Sequence, residues 1–177
     1  MNFDAYMIEI AATVAINSKC KSRKIGAVLV RDKAIISTGY NGPARGVSHC
    51  GEQCPRHVEG YPSGQGLRLC PATHAEANAI AQAARSGVST MDAWLYLVAP
   101  FAPCKTCAGM IINAGISRVI MTTMASYDNT ALNILREAGV GMVEFPRHHE
   151  MSGGVNTQNL CHKVGIGVDS WNLRYVD

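Results

Sequence analysis

Two short stretches of the chain hold residue types that bind metals and move protons: Thr73-His74-Ala75-Glu76 and Pro103-Cys104-Lys105-Thr106-Cys107. A hydrolytic zinc site takes three nitrogen or sulfur ligands from the protein and leaves a fourth position for water. His74, Cys104 and Cys107 make up such a set, and Zn2+ held by them would lower the pKa of its water toward about 7. Glu76, surplus as a ligand, is then available as the general base and acid. Both stretches open a helix, where free backbone N–H groups and the dipole favour thiolate. His74 and Glu76 are two residues apart, about 200° around a regular helix. They converge only if the helix begins irregularly at His74.

Each stretch also has a plainer reading. Thr73 followed three residues later by Glu76 is a capping box, which would make the glutamate structural. A lone histidine is commonly a hydrogen-bonded surface residue, and Cys-x-x-Cys alone could be a redox pair or a structural zinc knuckle. Their joint placement at two helix starts, each directly after a loop or strand, favours one shared site.

The elements that must position these residues follow from periodicity. Residues Asp4 to Ser18 carry Ile8, Ala11, Ala12, Ala15 and Ile16 at helical spacing. IGAVLV and AIISTGY, joined by Arg31-Asp32-Lys33, predict an antiparallel hairpin from Ile25 to Tyr40. Residues Asn41 to Thr73 lack periodicity and read as a long loop, a kind that in compact domains is functional or pinned by something. HAEANAIAQAARS predicts a helix from His74 to Ser86, stopped by Gly87. Beyond it come a strand over Trp94–Val98, a helix over Cys104–Asn113, a strand over Arg118–Thr122, a helix over Thr130–Ala138 and a strand over Gly141–Phe145. This alternation predicts an α/β fold with a mixed sheet and helices on its faces.

The 177 residues fit one domain, residues 1–177, with a core over about 1–145 and a C-terminal extension over 146–177 that wraps the core or a neighbouring subunit. Hydrophobic residues at 47% against 16% charged exclude a disordered chain and point to a homo-oligomer. A net charge of +3 with 6% aromatic residues falls short of the basic face or stacking platform of a nucleic-acid binder, and suits a small phosphorylated ligand better. The N-terminus lacks a signal-peptide pattern, and no apolar run approaches the roughly 20 residues that span a bilayer. The expectation is a soluble, cytoplasmic protein whose seven cysteines are ligands or free thiols.

His-x-Glu with Pro-Cys-x-x-Cys is the signature of zinc nucleobase deaminases. With Gly26-Ala27-Val28, Gly39-Tyr40-Asn41-Gly42 and His74-Ala75-Glu76-Ala77-Asn78-Ala79-Ile80, the chain resembles the cytidine deaminase superfamily and, within it, the deoxycytidylate deaminases. The resemblance spans most of Ile25 to Phe145. It implies a three-layer α/β/α fold with a mixed sheet of about five strands. It also implies hydrolysis of dCMP to dUMP and ammonia, supplying dUMP for thymidylate synthesis, and commonly a hexamer activated by dCTP and inhibited by dTTP. In that chemistry Glu76 passes a proton to N3 of the ring as C4 is attacked, then protonates the departing ammonia.

By the same resemblance Asn41 contacts the sugar 3′-hydroxyl, with a turn residue beside Gly42 as the alternative, and the Ala75 backbone N–H meets the pyrimidine carbonyl. Phosphate needs cations or free N–H groups, and Arg23, Lys24, Arg45 and Lys105 are the candidates, Lys24 foremost. Tyr127 and Asp128 either line the pocket or belong to a loop. Cys20, Cys50, Cys54 and Cys70, with His49 or His57 as substitutes, would hold a second, structural zinc, or else are buried free thiols. Cys161, His162, His148 and His149 read as packing or surface residues.

Competing readings are deamination of dCTP or a 5-substituted dCMP, editing of tRNA or single-stranded DNA, a base-modifying or pterin-type deaminase, and a non-catalytic zinc regulator. Modest charge opposes the second, Gly-Tyr-Asn-Gly the third, and Glu76 the last, since a structural site has no use for a general base.

Overall fold

The computed structural model describes residues 2–50, 53–62, 65–127 and 129–145. Helix α1 (Phe3–Ile16) starts at Asn2, whose side chain accepts from the Asp4 N–H. Strands β1 (Gly26–Arg31) and β2 (Ala34–Tyr40) form the expected hairpin. Its turn places Asp32 and Lys33 at φ 52° and 61°, the left-handed geometry that matches the twist of a two-residue hairpin loop.

The long loop is pinned at its ends. Strand β3 (Gly42–Pro43) pairs antiparallel with β4 (Ala72–Thr73), Gly42 opposite Thr73. Between them lie the one-turn helix α2 (Pro55–Val58) and a 3-10 turn at Leu67–Leu69. Helix α3 (Ala75–Arg85), β5 (Trp94–Val98), α4 (Lys105–Asn113), β6 (Arg118–Met121), α5 (Thr130–Glu137) and β7 (Gly141–Glu144) complete the described chain. The C-terminal extension expected over 146–177 lies outside the described residues.

The main sheet runs β2-β1-β5-β6-β7, with β1 antiparallel to β2 and β5, and β5, β6 and β7 parallel. Alternation along the strands splits the core into two layers. Ala27, Leu29, Leu95, Leu97, Val119 and Met121 meet α3, α4 and α5 on one face, while Val28, Val30, Tyr96, Val98 and Ile120 meet α1 on the other. This is the three-layer α/β/α arrangement with five strands that the resemblance implies.

Both faces of the hairpin touch helix backbone. A Cβ on Gly26 would lie 2.0 Å from the Ala11 carbonyl oxygen in α1, and one on Gly39 would lie 2.3 Å from both the Ala75 carbonyl oxygen and the Ala79 nitrogen in α3. Glycine on the strand and alanine on the helix let the layers approach at backbone distance. The amino end of α3, and with it His74, is set by this contact.

Candidate active site

His74 and Cys104 each stand just before the first helical residue, as the caps of α3 and α4. Both are extended, His74 at φ −70°, ψ 157° and Cys104 at φ −72°, ψ 166°. The helices therefore begin one residue later than the sequence predicts, at Ala75 and Lys105. This break from helical geometry is what allows His74 to share a site with Glu76. It also removes the capping box, because His74 and not Thr73 is the cap and no side chain caps α3.

The two starts are held by backbone ties. Asn78 donates to the carbonyl oxygens of Tyr40 at 2.8 Å and Thr73 at 3.4 Å, joining the α3 start to the ends of β2 and β4. The loop before Cys104 is anchored by Ala102 N–H donating to the Ala125 carbonyl oxygen at 2.7 Å.

His74, Cys104 and Cys107 converge, with ligand atoms all within 4.8 Å of one another. His74 Nδ1 lies 3.5 Å from each of the two sulfurs. Zinc–sulfur and zinc–nitrogen bonds of ordinary length at a tetrahedral angle would hold N and S about 3.6 Å apart. The donor set therefore fits zinc in both type and spacing. Glu76 is buried at 5% exposure on the wall of a cavity of about 220 Å³ that His74 and Cys104 also line.

The electrostatics suit a metal with an adjacent proton carrier. Hydrogen bonds from Cys107 and His74 bring the Cys104 thiol down to about 3. The hydrogen bond to Cys104 and burial push the Cys107 thiol up, so that without metal the pair shares one proton. The hydrogen bond to Cys104 raises the His74 imidazole, against burial. Burial raises the Glu76 carboxyl, opposed by its backbone N–H and the His74 charge. A carboxyl raised by a dry environment is suited to both accepting and returning a proton.

The other expected residues divide. Asn41 lines the cavity, buried, but its amide is engaged: Oδ1 accepts from Ile25 N–H at 2.8 Å and Nδ2 donates to the Arg23 carbonyl oxygen at 2.9 Å. The Ala75 N–H is a first-turn donor with no helix carbonyl to receive it. Tyr127 lines the cavity and stacks on Phe101 at 4.1 Å between ring centroids. Lys24 reaches the Ile16 carbonyl oxygen at 3.4 Å and is not among the residues lining the cavity. Arg45 bonds to Gln82, and neither it nor Lys105 lines the cavity. Arg23 does, hydrogen-bonded to the Tyr127 hydroxyl and 4.8 Å above the Phe101 ring. Asp128, Cys161, His162, His148 and His149 lie outside the described residues.

Burial raises the Cys50 thiol, and the charges of Cys54, Cys70 and Cys20 add to the effect. Among the described residues, however, only His74, Cys104 and Cys107 form a group at ligand distance. His57 is occupied with the Ser22 hydroxyl at 2.9 Å. Among the cavity residues not singled out from the sequence are Phe101 and Arg56. Phe101 had a usable signal, a large aromatic in the loop directly before Cys104. Arg56 had none.

The family described as "Cytidine and deoxycytidylate deaminase zinc-binding region" matches residues 1–123. The chain belongs to this family. Among its curated relatives, the deoxycytidylate deaminase of Schizosaccharomyces pombe is 37% identical over 81% of this chain, which spans only 44% of the yeast protein's length. The deoxycytidylate deaminase of Mycobacterium phage D29 is 37% identical over 67% of this chain and 93% of its own. In three dimensions, the dCMP deaminase of the cyanophage S-TIM5, solved in complex with dCMP and dUMP, superposes with a TM-score of 0.63 at 27% identity, covering 80% of this chain and 95% of that one. The cytidine and deoxycytidylate deaminase fold thus accounts for the five-stranded sheet and for the two helix starts that bring His74, Cys104 and Cys107 together. Among the described residues no helix is long and apolar enough to cross a membrane.

Proposed function

We propose that the protein is a zinc-dependent deaminase that converts dCMP to dUMP and ammonia. The observation that carries this reading is the buried Glu76 carboxyl beside a His74, Cys104, Cys107 set spaced for zinc. Zinc bound there supplies hydroxide from water near neutral pH. Glu76 would take the proton so released and deliver it to N3 of the cytosine ring as C4 is attacked, then take the proton of the new C4 hydroxyl and pass it to the amino group, so that the C4–N bond breaks, ammonia leaves and C4 becomes a carbonyl. The Ala75 N–H donates to the pyrimidine carbonyl oxygen. Asn41 offers its remaining amide N–H to the sugar, and Tyr127 with Phe101 borders the mouth.

A small cavity favours a free nucleotide over a polynucleotide, since about 220 Å³ lies below the roughly 300–1,000 Å³ typical of drug-sized sites. The names of the relatives favour dCMP among nucleotides; dCTP and 5-substituted dCMP are the alternatives. Inherited from the resemblance are activation by dCTP, inhibition by dTTP, hexameric assembly and a cytoplasmic location. A structural zinc on Cys20, Cys50, Cys54 and Cys70 is likewise inherited from the resemblance alone, since these thiols do not form a group at ligand distance among the described residues.

Loss of the amino group is followed by ultraviolet absorbance with dCMP, dCTP, deoxycytidine and a cytosine-bearing oligonucleotide. Turnover of dCMP with the highest kcat/KM supports the reading, and activity on the oligonucleotide alone overturns it. Adding dCTP or dTTP to the dCMP assay tests the regulation, and metal analysis tests the second zinc.

A further inference from the structure

Arg56 is charged yet only 5% exposed. It sits on the one-turn helix α2 in the long loop, and its guanidinium donates through Nε to the Gln65 carbonyl oxygen at 2.5 Å and through Nη2 to the Pro62 carbonyl oxygen at 2.9 Å. Both acceptors are neutral. A guanidinium has five N–H groups, and those remaining have no acceptor among the described residues, nor does any described carboxylate pair with it. Withdrawing a cation from water without a counter-charge is costly, and none of the Arg56 nitrogens is both fully buried and unpartnered, which favours an anion meeting it from the cavity. Arg56 lines the cavity shared by Glu76 and His74.

The other cation on that cavity is Arg23, held against Phe101 and Tyr127. A phosphate monoester carries close to two charges near neutral pH and several acceptor oxygens, which a planar guanidinium meets two at a time.

We propose that Arg56, carried by the long loop and buried in the cavity wall, seats the 5′-phosphate of the nucleotide, with Arg23 as the second cation. This rests on the deaminase reading above and deepens it, because it names the group that separates a nucleotide from its nucleoside. The two carbonyl bonds hold the guanidinium in place before the ligand arrives, so little ordering is left to do on binding. They also join the loop's turn at residues 62 and 65 to the cavity, so that a loop without catalytic groups contributes to recognition.

The test uses the zinc-loaded full chain with dCMP and deoxycytidine as paired substrates. Arg56→Gln should raise the KM for dCMP about 100-fold, a loss in the range seen when one partner of a buried charge pair is removed, while changing kcat/KM for deoxycytidine far less. Arg56→Lys should fall between. Inorganic phosphate should compete with dCMP in the wild-type protein without competing with deoxycytidine, a measurement that needs no variant. Equal losses on both substrates would reduce Arg56 to a loop staple and overturn the proposal, as would phosphate that fails to compete with dCMP. If neither substrate turns over, the deaminase reading fails separately. Phosphate then still decides: a rise in Tm with phosphate that Arg56→Gln abolishes upholds the anion seat, and an unchanged rise removes it.

Discussion

Gly39 in β2 faces the Ala75 carbonyl oxygen of α3 so closely that a methyl group on Gly39 would come within 2.3 Å of it. Ala75 follows His74 directly, so the strand sets the position of the candidate metal ligand through backbone contact alone. Gly39→Ala should destabilise the protein by about 3 kcal/mol, the upper end for overpacking, because the neighbour is backbone and cannot rotate away. Urea unfolding measures the loss, and zinc affinity should fall with it. A variant of wild-type stability would show that the layers can separate.

Glu76→Gln should reduce turnover by about 10²–10⁴-fold or more while zinc content stays the same. Stability gives a second readout in the metal-free protein. Burial raises the folded carboxyl above its ordinary 4.5, so as pH rises the unfolded chain ionises first and the folded state is penalised. Below 4.5 both states hold the proton and the penalty vanishes. Glu76→Gln should therefore melt higher than wild type at neutral pH, with the gap closing on acidification. Equal melting temperatures across the range would contradict the burial effect.

Zinc uptake should release protons. Cys104 is already a thiolate at neutral pH, with its thiol brought down to about 3, but Cys107 and His74 are both raised and must give up protons to bind metal. Affinity should rise about tenfold per pH unit for each proton displaced. Competition with a chelator at several pH values measures the slope, and calorimetry in buffers of different ionisation enthalpy counts the protons. A flat profile would mean that the thiols are fully ionised before metal arrives.

Asn41 binds the chain just before β1 at both Ile25 N–H and the Arg23 carbonyl oxygen. Asn41→Ala leaves both groups without their partner and should cost about 1–3 kcal/mol for each. Asn41→Asp keeps an acceptor for Ile25 but has no donor for Arg23. Because Arg23 lines the cavity, both variants should raise the KM for dCMP along with the loss in denaturant midpoint. Intact stability with a raised KM would leave Asn41 as a ligand contact alone.

The centre of the site was legible because its information is local. His74, Glu76, Cys104 and Cys107 lie within two short motifs, and each motif stands at a helix start marked by a change in periodicity. The strands β5 and β6 were equally plain as apolar runs between helical patterns. Strands β3 and β4 were not, since two residues carry no alternation, and pairing across the long loop is a tertiary event. That Arg23 lines the cavity and Lys24 does not also escaped the sequence. Both residues precede β1, so which of them meets the cavity depends on how the chain is held where it joins the sheet. Arg56 was invisible for a related reason: a charged residue in a polar loop reads as solvated until the fold buries it.

The spacing between the hairpin and its two alanine-bearing helices is fixed by main chain at Gly26 and Gly39, not by the size of any side chain. Core substitutions along these seams therefore have little room to retune the metal centre by small shifts. Variation in ligand preference is directed instead to the chain segments around the cavity mouth, where Phe101, Tyr127 and the segment bearing Arg56 can change without moving the frame. The same rigidity that keeps three ligands in register thus divides the molecule into a part that conserves chemistry and a part free to diversify in what it accepts.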